Sequence, residues 1–232
     1  RICLVGSEMC IRDRINPNST MSNNKSIRIT VASCLLIVSM VAGLFVYSTI
    51  SPKELTAEEY KQIGFYKLVR TRQINNFELI EGDAAFSNND LVGAWDVLFL
   101  GFASCPDMCP MTMKKMAMAN GSLSEEISSK VNFRMISVDP DRDTPEKMQE
   151  YAEAFNPSFT GITGDIEVIY KLATDLTLPF VPVVGSDNSN YDMDHSMNLA
   201  VIDPEGNYFG FFKSPHAPEK MAEVLESIIS FN

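Results

Sequence analysis

Between Ile29 and Ile50 the chain carries no charged residue, and nothing else in its 232 residues restricts the architecture as strongly. About 20 consecutive apolar residues are enough to cross a bilayer as a helix, so residues 29–50 read as a single transmembrane anchor. Lys25 and Arg28 precede the run, which favours a cytoplasmic N-terminus; Lys53 and Lys61 beyond it weaken the asymmetry. The rival reading is a cleaved signal peptide ending near "VYS" (46–48), but its apolar region should be shorter, roughly 7–15 residues. An uncleaved anchor is therefore expected, with Cys34 in lipid and the bulk of the chain outside the cytoplasm, where thiols face oxidation.

Around this anchor the chain divides simply. Residues 1–20 read as a non-native extension, because "RICLVGSEMCIRDR" shows neither helical nor strand period and Met21 opens a sensible start. Residues 21–28 form a short cytoplasmic segment, 51–76 a linker with a short helix near Pro52–Ile63, and 77–232 the folded domain. At 45% hydrophobic and 21% charged the chain has the composition of a folded protein. Its formal net charge of −11, with no basic patch, excludes nucleic acid as a partner.

The domain alternates strand and helix. "NFELIEGDAAFS" (76–87) reads as a short strand or hairpin. "WDVLFLGFAS" (95–104) is a continuous apolar run, as a strand buried on both faces requires. A helix follows from Pro110 to Leu123, then a second buried strand, "VNFRMISVD" (131–139). Thr144, Pro145 and Glu146 supply a cap, a first-turn proline and an acid at the positive end of a helix running to about Phe155. Asp165 caps another, with Ile166, Ile169, Leu172, Ala173 and Leu176 on one stripe. "NLAVIDPEGNYFGFF" (198–212) reads as two strands joined by a turn, and Pro218 opens a final helix. This order predicts an α/β fold with a central mixed sheet flanked by helices.

Five cysteines are too few and too scattered for a disulfide scaffold. In the folded part only Cys105 and Cys109, in "GFASCPDMCP" (101–110), lie close together, at a strand–helix junction of the kind where ligands collect in such sheets. A spacing of four places both sulfurs on one helix face, and a helix N-terminus is expected to lower a thiol pKa. A redox disulfide, a dithiolate metal clamp and a structural disulfide are all physically open. His195, just before the strand expected to neighbour the first buried one, supplies a third donor, and two thiolates with one imidazole suit a soft cation, above all Cu(I). Asp194 or Ser196 would orient the imidazole. The other histidine, His216, reads as a surface loop residue. Met108, Met111, Met113, Met116 and Met118 read as core filling rather than a copper relay. "DPDRDTPE" (139–146) fits equally a solvated loop, a docking surface or a brace for the site.

Three motifs, "GFASCPDMCP", "ISVDPDRDTPEKMQEY" (136–151) and "YDMDHSMNLAVIDPEG" (191–206), in this order and behind one anchor, resemble the Sco/SenC family. The resemblance spans about Phe77 to Ile229. These are membrane-tethered, thioredoxin-like copper proteins that help assemble the copper A centre of cytochrome c oxidase. The resemblance implies a thioredoxin-like fold, a copper ion, Cu(I) or Cu(II), held by Cys105, Cys109 and His195, and cytochrome c oxidase subunit II as partner. It implies a single-pass protein of the bacterial inner membrane with its C-terminal domain in the periplasm. A metallochaperone is expected rather than an enzyme; the alternative is a thiol–disulfide oxidoreductase in which Cys105 attacks and Cys109 resolves. Ser104 departs from the larger residue, such as histidine, expected before the first cysteine; it is not a ligand position.

Overall fold

The computed structural model describes residues 19–50, 55–184 and 191–231. Most of the stretch read as a non-native extension, residues 1–18, lies outside the described residues. The chain divides into two compact units, Arg1–Ser51 and Pro52–Asn232.

The described residues of the first unit form the helix α1 (Ser19–Ile50), in which Asn24–Thr49 is long and apolar enough to cross a membrane. Its hydroxyls turn back onto their own helix. Thr30 donates to the Ser26 carbonyl at 3.0 Å, Ser39 to Leu36 at 2.9 Å, and Ser48 and Thr49 to Phe45 at 2.9 and 2.7 Å. A hydroxyl satisfied in this way can sit in hydrocarbon at little cost.

The second unit opens with α2 (Ala57–Gln62), started by a capping box in which Thr56 accepts from the Glu59 amide and Glu59 reaches back to the Thr56 amide. Then come β1 (Phe65–Gln73), β2 (Glu78–Glu81), β3 (Ala84–Ser87), β4 (Trp95–Gly101) and α3 (Met108–Ser122). They are followed by α4 (Glu125–Ser128), β5 (Val131–Ser137), α5 (Pro145–Glu153), β6 (Thr160–Thr163) and α6 (Ile166–Asp175). The unit closes with β7 (Phe180–Val184), β8 (Tyr191–His195), β9 (Leu199–Ile202), β10 (Asn207–Phe212) and α7 (Pro218–Phe231). Eight strands form one mixed sheet in the order β1-β10-β9-β4-β5-β6-β2-β3, while β7 and β8 make a separate hairpin.

Every residue of β4 is buried, as its apolar run predicts. It pairs parallel with β5 and antiparallel with β9, so the sheet is mixed about its central strand. Caps act where the sequence places them. Thr144 accepts from the Lys147 amide at the start of α5, and Asp165 accepts from the Glu167 and Val168 amides at the start of α6. Helix α3 begins at Met108, two residues before Pro110, so Cys109 lies in its first turn and Cys105 in the loop before it.

Two expectations change. The segment 51–76, read as a linker, contains β1, an edge strand of the main sheet paired antiparallel with β10. Aromatic pairs hold it there: Phe65 against Phe212, with ring centroids 4.9 Å apart, and Tyr66 stacked on Phe211 at 5.2 Å. Lys67, Arg70 and Arg72 of β1 are charged and exposed, which hides the strand in a sequence reading and discourages further edge pairing. His216, read as a surface residue, is buried. Its Nε2 donates to the Met197 carbonyl at 2.7 Å and ties the start of α7 to the segment after His195.

Candidate metal centre

Because β9 runs antiparallel to β4, with Leu199 opposite Phe99, the chain entering β9 arrives at the C-terminal end of β4. Gly101 ends β4 there and leads into the cysteine loop. Sheet topology therefore joins His195 to a cysteine 86 positions earlier: Cys109 Sγ and His195 Nε2 are 3.3 Å apart.

The tautomer of His195 follows from its other nitrogen. Nδ1 lies 3.1 Å from the Ser196 carbonyl, which can only accept, so Nδ1 carries the proton and Nε2 presents its lone pair to the sulfur. The backbone of Ser196, rather than its hydroxyl or Asp194, orients the ring. The rings of Phe99 and Phe102 stand edge-on to the imidazole at centroid distances of 5.7 and 5.9 Å. Burial holds the His195 pKa below its ordinary value. Burial also pushes the Cys109 thiol well above its ordinary pKa, and the neighbouring Cys105 sulfur adds to the rise. The pair is therefore a neutral thiol donating to a neutral imidazole. The sequence expectation of a lowered thiol pKa fails at Cys109, because complete burial outweighs the helix N-terminus.

Cys105 is partly exposed, and its Sγ accepts from the Cys109 amide at 3.4 Å, much as a side chain caps a helix start. Both cysteines are free thiols. Cys105 and His195 line a cleft of ≈ 250 Å³, with Cys109 buried beneath. Among the described residues, no three His, Cys, Asp or Glu side chains are already gathered as a metal-binding group. The donors fit a soft ion by their chemistry: one imidazole lone pair aimed at a buried sulfur, and a second sulfur on an adjacent loop.

The motif "DPDRDTPE" braces this loop. Asp143 is buried; its Oδ2 accepts from the Ala103 amide at 3.0 Å and the Ser137 hydroxyl at 2.9 Å, and its Oδ1 from Lys147 Nζ at 2.9 Å. Lys147 Nζ also reaches the Ser104 hydroxyl at 3.2 Å, so the small residue before Cys105 is held from the same point. Arg142 pairs with the buried Asp139 and lies over the Phe102 ring at 5.8 Å. Among the methionines, Met113 and Met116 are core residues as expected, but Met108, Met111 and Met118 are exposed.

Gly101 sets the clearance beneath the site. A Cβ there would lie 2.8 Å from the Phe99 ring, 2.9 Å from Met135 Cε and 3.0 Å from Cys109 Sγ. Gly101→Ala is expected to destabilise the fold by roughly 1–3 kcal/mol through overpacking and to push Cys109 away from His195. Urea unfolding alongside copper titration reads both effects; an unchanged copper affinity would show that the clearance at Gly101 does not set the site.

Fold and site together define a thioredoxin-like protein with two thiols and an imidazole at the end of its central strand. The chain belongs to the SCO1/SenC family, whose model matches residues 68–230. It is 30% identical to the SCO2-like protein RC0895 of Rickettsia conorii over 206 residues, covering 87% of this chain and 98% of the relative. The structure of Arabidopsis thaliana ScoI with copper bound is similar at 31% identity and a TM-score of 0.61, covering 68% of this chain and 98% of that one. Bradyrhizobium japonicum ScoI with copper bound is similar at 30% identity and a TM-score of 0.60, covering 66% and 98%. Sco proteins handle copper and take part in cytochrome c oxidase assembly.

Proposed function

We propose that this chain is a membrane-anchored copper metallochaperone that binds one copper ion through Cys105, Cys109 and His195 and delivers it to the copper A site of cytochrome c oxidase subunit II. The observation that carries the reading is the 3.3 Å approach of His195 Nε2 to Cys109 Sγ. It is supported by the free Cys105 on the adjoining loop and by the copper-bound state of two relatives. In this reading residues 29–50 anchor the protein in the bacterial inner membrane and the folded unit of residues 52–232 faces the periplasm. Cys109 and His195 form the fixed part of the site. Cys105, on a loop and partly exposed, turns inward to complete it and turns outward to begin exchange with the thiolates of the partner. Loading displaces the thiol protons and involves no change in oxidation state of the cysteines.

Anaerobic Cu(I) titration of the full chain, with X-ray absorption on the loaded protein, tests this. Wild type is expected to bind one ion with two sulfur ligands and one nitrogen. His195→Ala should weaken binding by more than the roughly 10–100-fold typical of losing an outer-shell partner. Tight one-to-one binding by that variant would sink the three-ligand site.

The second reading is a thiol–disulfide oxidoreductase that reduces the copper A cysteines. What favours it is that Cys105 and Cys109 are neighbouring free thiols of unequal exposure, as an attacking and a resolving cysteine should be. On that reading His195→Ala reduces the partner's disulfide at a near wild-type rate.

A further inference from the structure

The cleft above Cys109 is walled by more than the candidate ligands. Met108, from the first residue of α3, Met193, from β8, and Met197, from the segment leading into β9, line it together with Cys105 and His195. Three separate parts of the fold thus bring a methionine to one cleft. Their depths are graded: Met193 is 8% exposed, Met197 is half-buried and Met108 is 44% exposed, while Cys109 below them is fully buried. Asp107, Asp192 and Asp194 stand exposed on the same rim. His195, which lines this cleft, lies 3.3 Å from the buried Cys109 sulfur, so the cleft adjoins the Cys109–His195 pair.

Exposure alone does not account for the arrangement. Met111 and Met118 lie on α3 at 41% and 48% exposure, close to that of Met108, yet neither lines the cleft. A thioether is a neutral, soft donor that favours Cu(I) over hard cations. Its binding displaces no proton, and it can hold the ion without competing permanently with thiolates. The rim carboxylates raise the local concentration of any cation without selecting among them.

Resting on the copper reading above, we infer that Met108, Met193 and Met197 form a second, weaker Cu(I) site at the mouth of the cleft, a waypoint between the buried Cys109–His195 pair and the partner. The ion stays Cu(I) throughout: a copper–thioether bond forms as a copper–thiolate or copper–imidazole bond breaks, and no electron is transferred.

The test uses the full chain in detergent micelles, labelled with 13C at the methionine ε-methyl groups and titrated anaerobically with Cu(I). The first equivalent should raise the thiolate-to-copper charge-transfer band. The second should shift the ε-methyl signals of Met108, Met193 and Met197 and leave Met111 and Met118 in place. Met108→Leu with Met197→Leu, which keeps apolar volume and removes two sulfurs, should lose those second-equivalent shifts and release the first copper more slowly to a Cu(I) chelator. Unmoved cleft methyls, equal shifts at Met111 and Met118, or unchanged release by the double variant would each overturn the waypoint. Absence of the charge-transfer band would instead strike the thiolate site, and the methyl shifts would still report on the thioethers.

Discussion

Copper(I) affinity of the full chain is expected to rise roughly a hundredfold per pH unit near neutrality, tenfold for each thiol that must lose its proton to bind. Copper takes a cysteine as its thiolate, so each thiol that binds gives up its proton, and burial pushes Cys109 toward the protonated form. His195 moves the other way: burial lowers its pKa, so the ring is already neutral and contributes no proton to the exchange. Loading therefore releases protons, and by mass action affinity falls as pH falls. Competition with a chelator of known pH dependence measures the slope. Cys105→Ser should reduce it to about tenfold per unit, while His195→Ala should lower affinity at every pH and leave the slope intact. A wild-type slope of only tenfold would mean that loading displaces one proton, and the expectation of two would fail.

That contrast depends on a property the sequence conceals. The pair Cys105–Cys109 is legible in "GFASCPDMCP", and the position of His195 follows once β9 is seen as the antiparallel neighbour of β4. The direction of the Cys109 pKa is not legible. The helix N-terminus is a local feature that can be read from capping residues, whereas burial arises only in the folded sheet, where the Cys109 sulfur, the Phe99 ring and Met135 all close on the space a Cβ at Gly101 would take. The same division runs through the fold. Strand β4 announces itself by an unbroken apolar run, and α5 and α6 by Thr144 and Asp165. Strand β1 does not, because its charged outer positions look like a linker until β10 supplies the aromatic partners. In sequence "DPDRDTPE" leaves a solvated loop, a docking surface and a brace open; only the approach of Ala103 and Ser137 gives Asp143 its buried role. The methionines divide for a related reason. Helix α3 turns Met113 and Met116 into the core and Met108 toward the cleft, a difference of face that a count of methionines does not carry.

Replacing Arg134 should cost the fold far more than it costs the site. Arg134 lies on β5 with its side chain only 11% exposed; Nε donates to Asp96 Oδ1 at 2.6 Å and Nη1 to Glu81 Oε2 at 2.7 Å. Asp96 is fully buried on β4, and its guanidinium partner also covers the Phe86 ring at 4.9 Å. Burial pushes the Asp96 carboxyl above its ordinary pKa, and Arg134 opposes the rise by charge and hydrogen bond. Arg134→Met removes the opposition and strands a carboxylate in the sheet, at a cost of about 3–5 kcal/mol. For a unit of this size that corresponds to a melting temperature lower by roughly 6–20 °C. The sign of the pH dependence follows from the raised pKa. Above the unfolded-state value the folded chain binds the Asp96 proton more tightly than the unfolded chain does, so stability is lost as pH rises through the folded-state pKa and regained as it falls. Arg134→Met should therefore recover part of its loss on mild acidification. Adding Asp96→Asn should recover part of it at neutral pH and abolish the acid recovery, while Glu81, 27% exposed, turns to water. Thermal unfolding at several pH values resolves these outcomes, and a single variant that melts with wild type and ignores pH would dismiss the clamp. Asp96 sits near the start of β4 and Gly101 at its end. Copper affinity measured well below the melting range should consequently be unaltered in Arg134→Met, since the strand end that presents Cys109 to His195 is braced separately by Asp143.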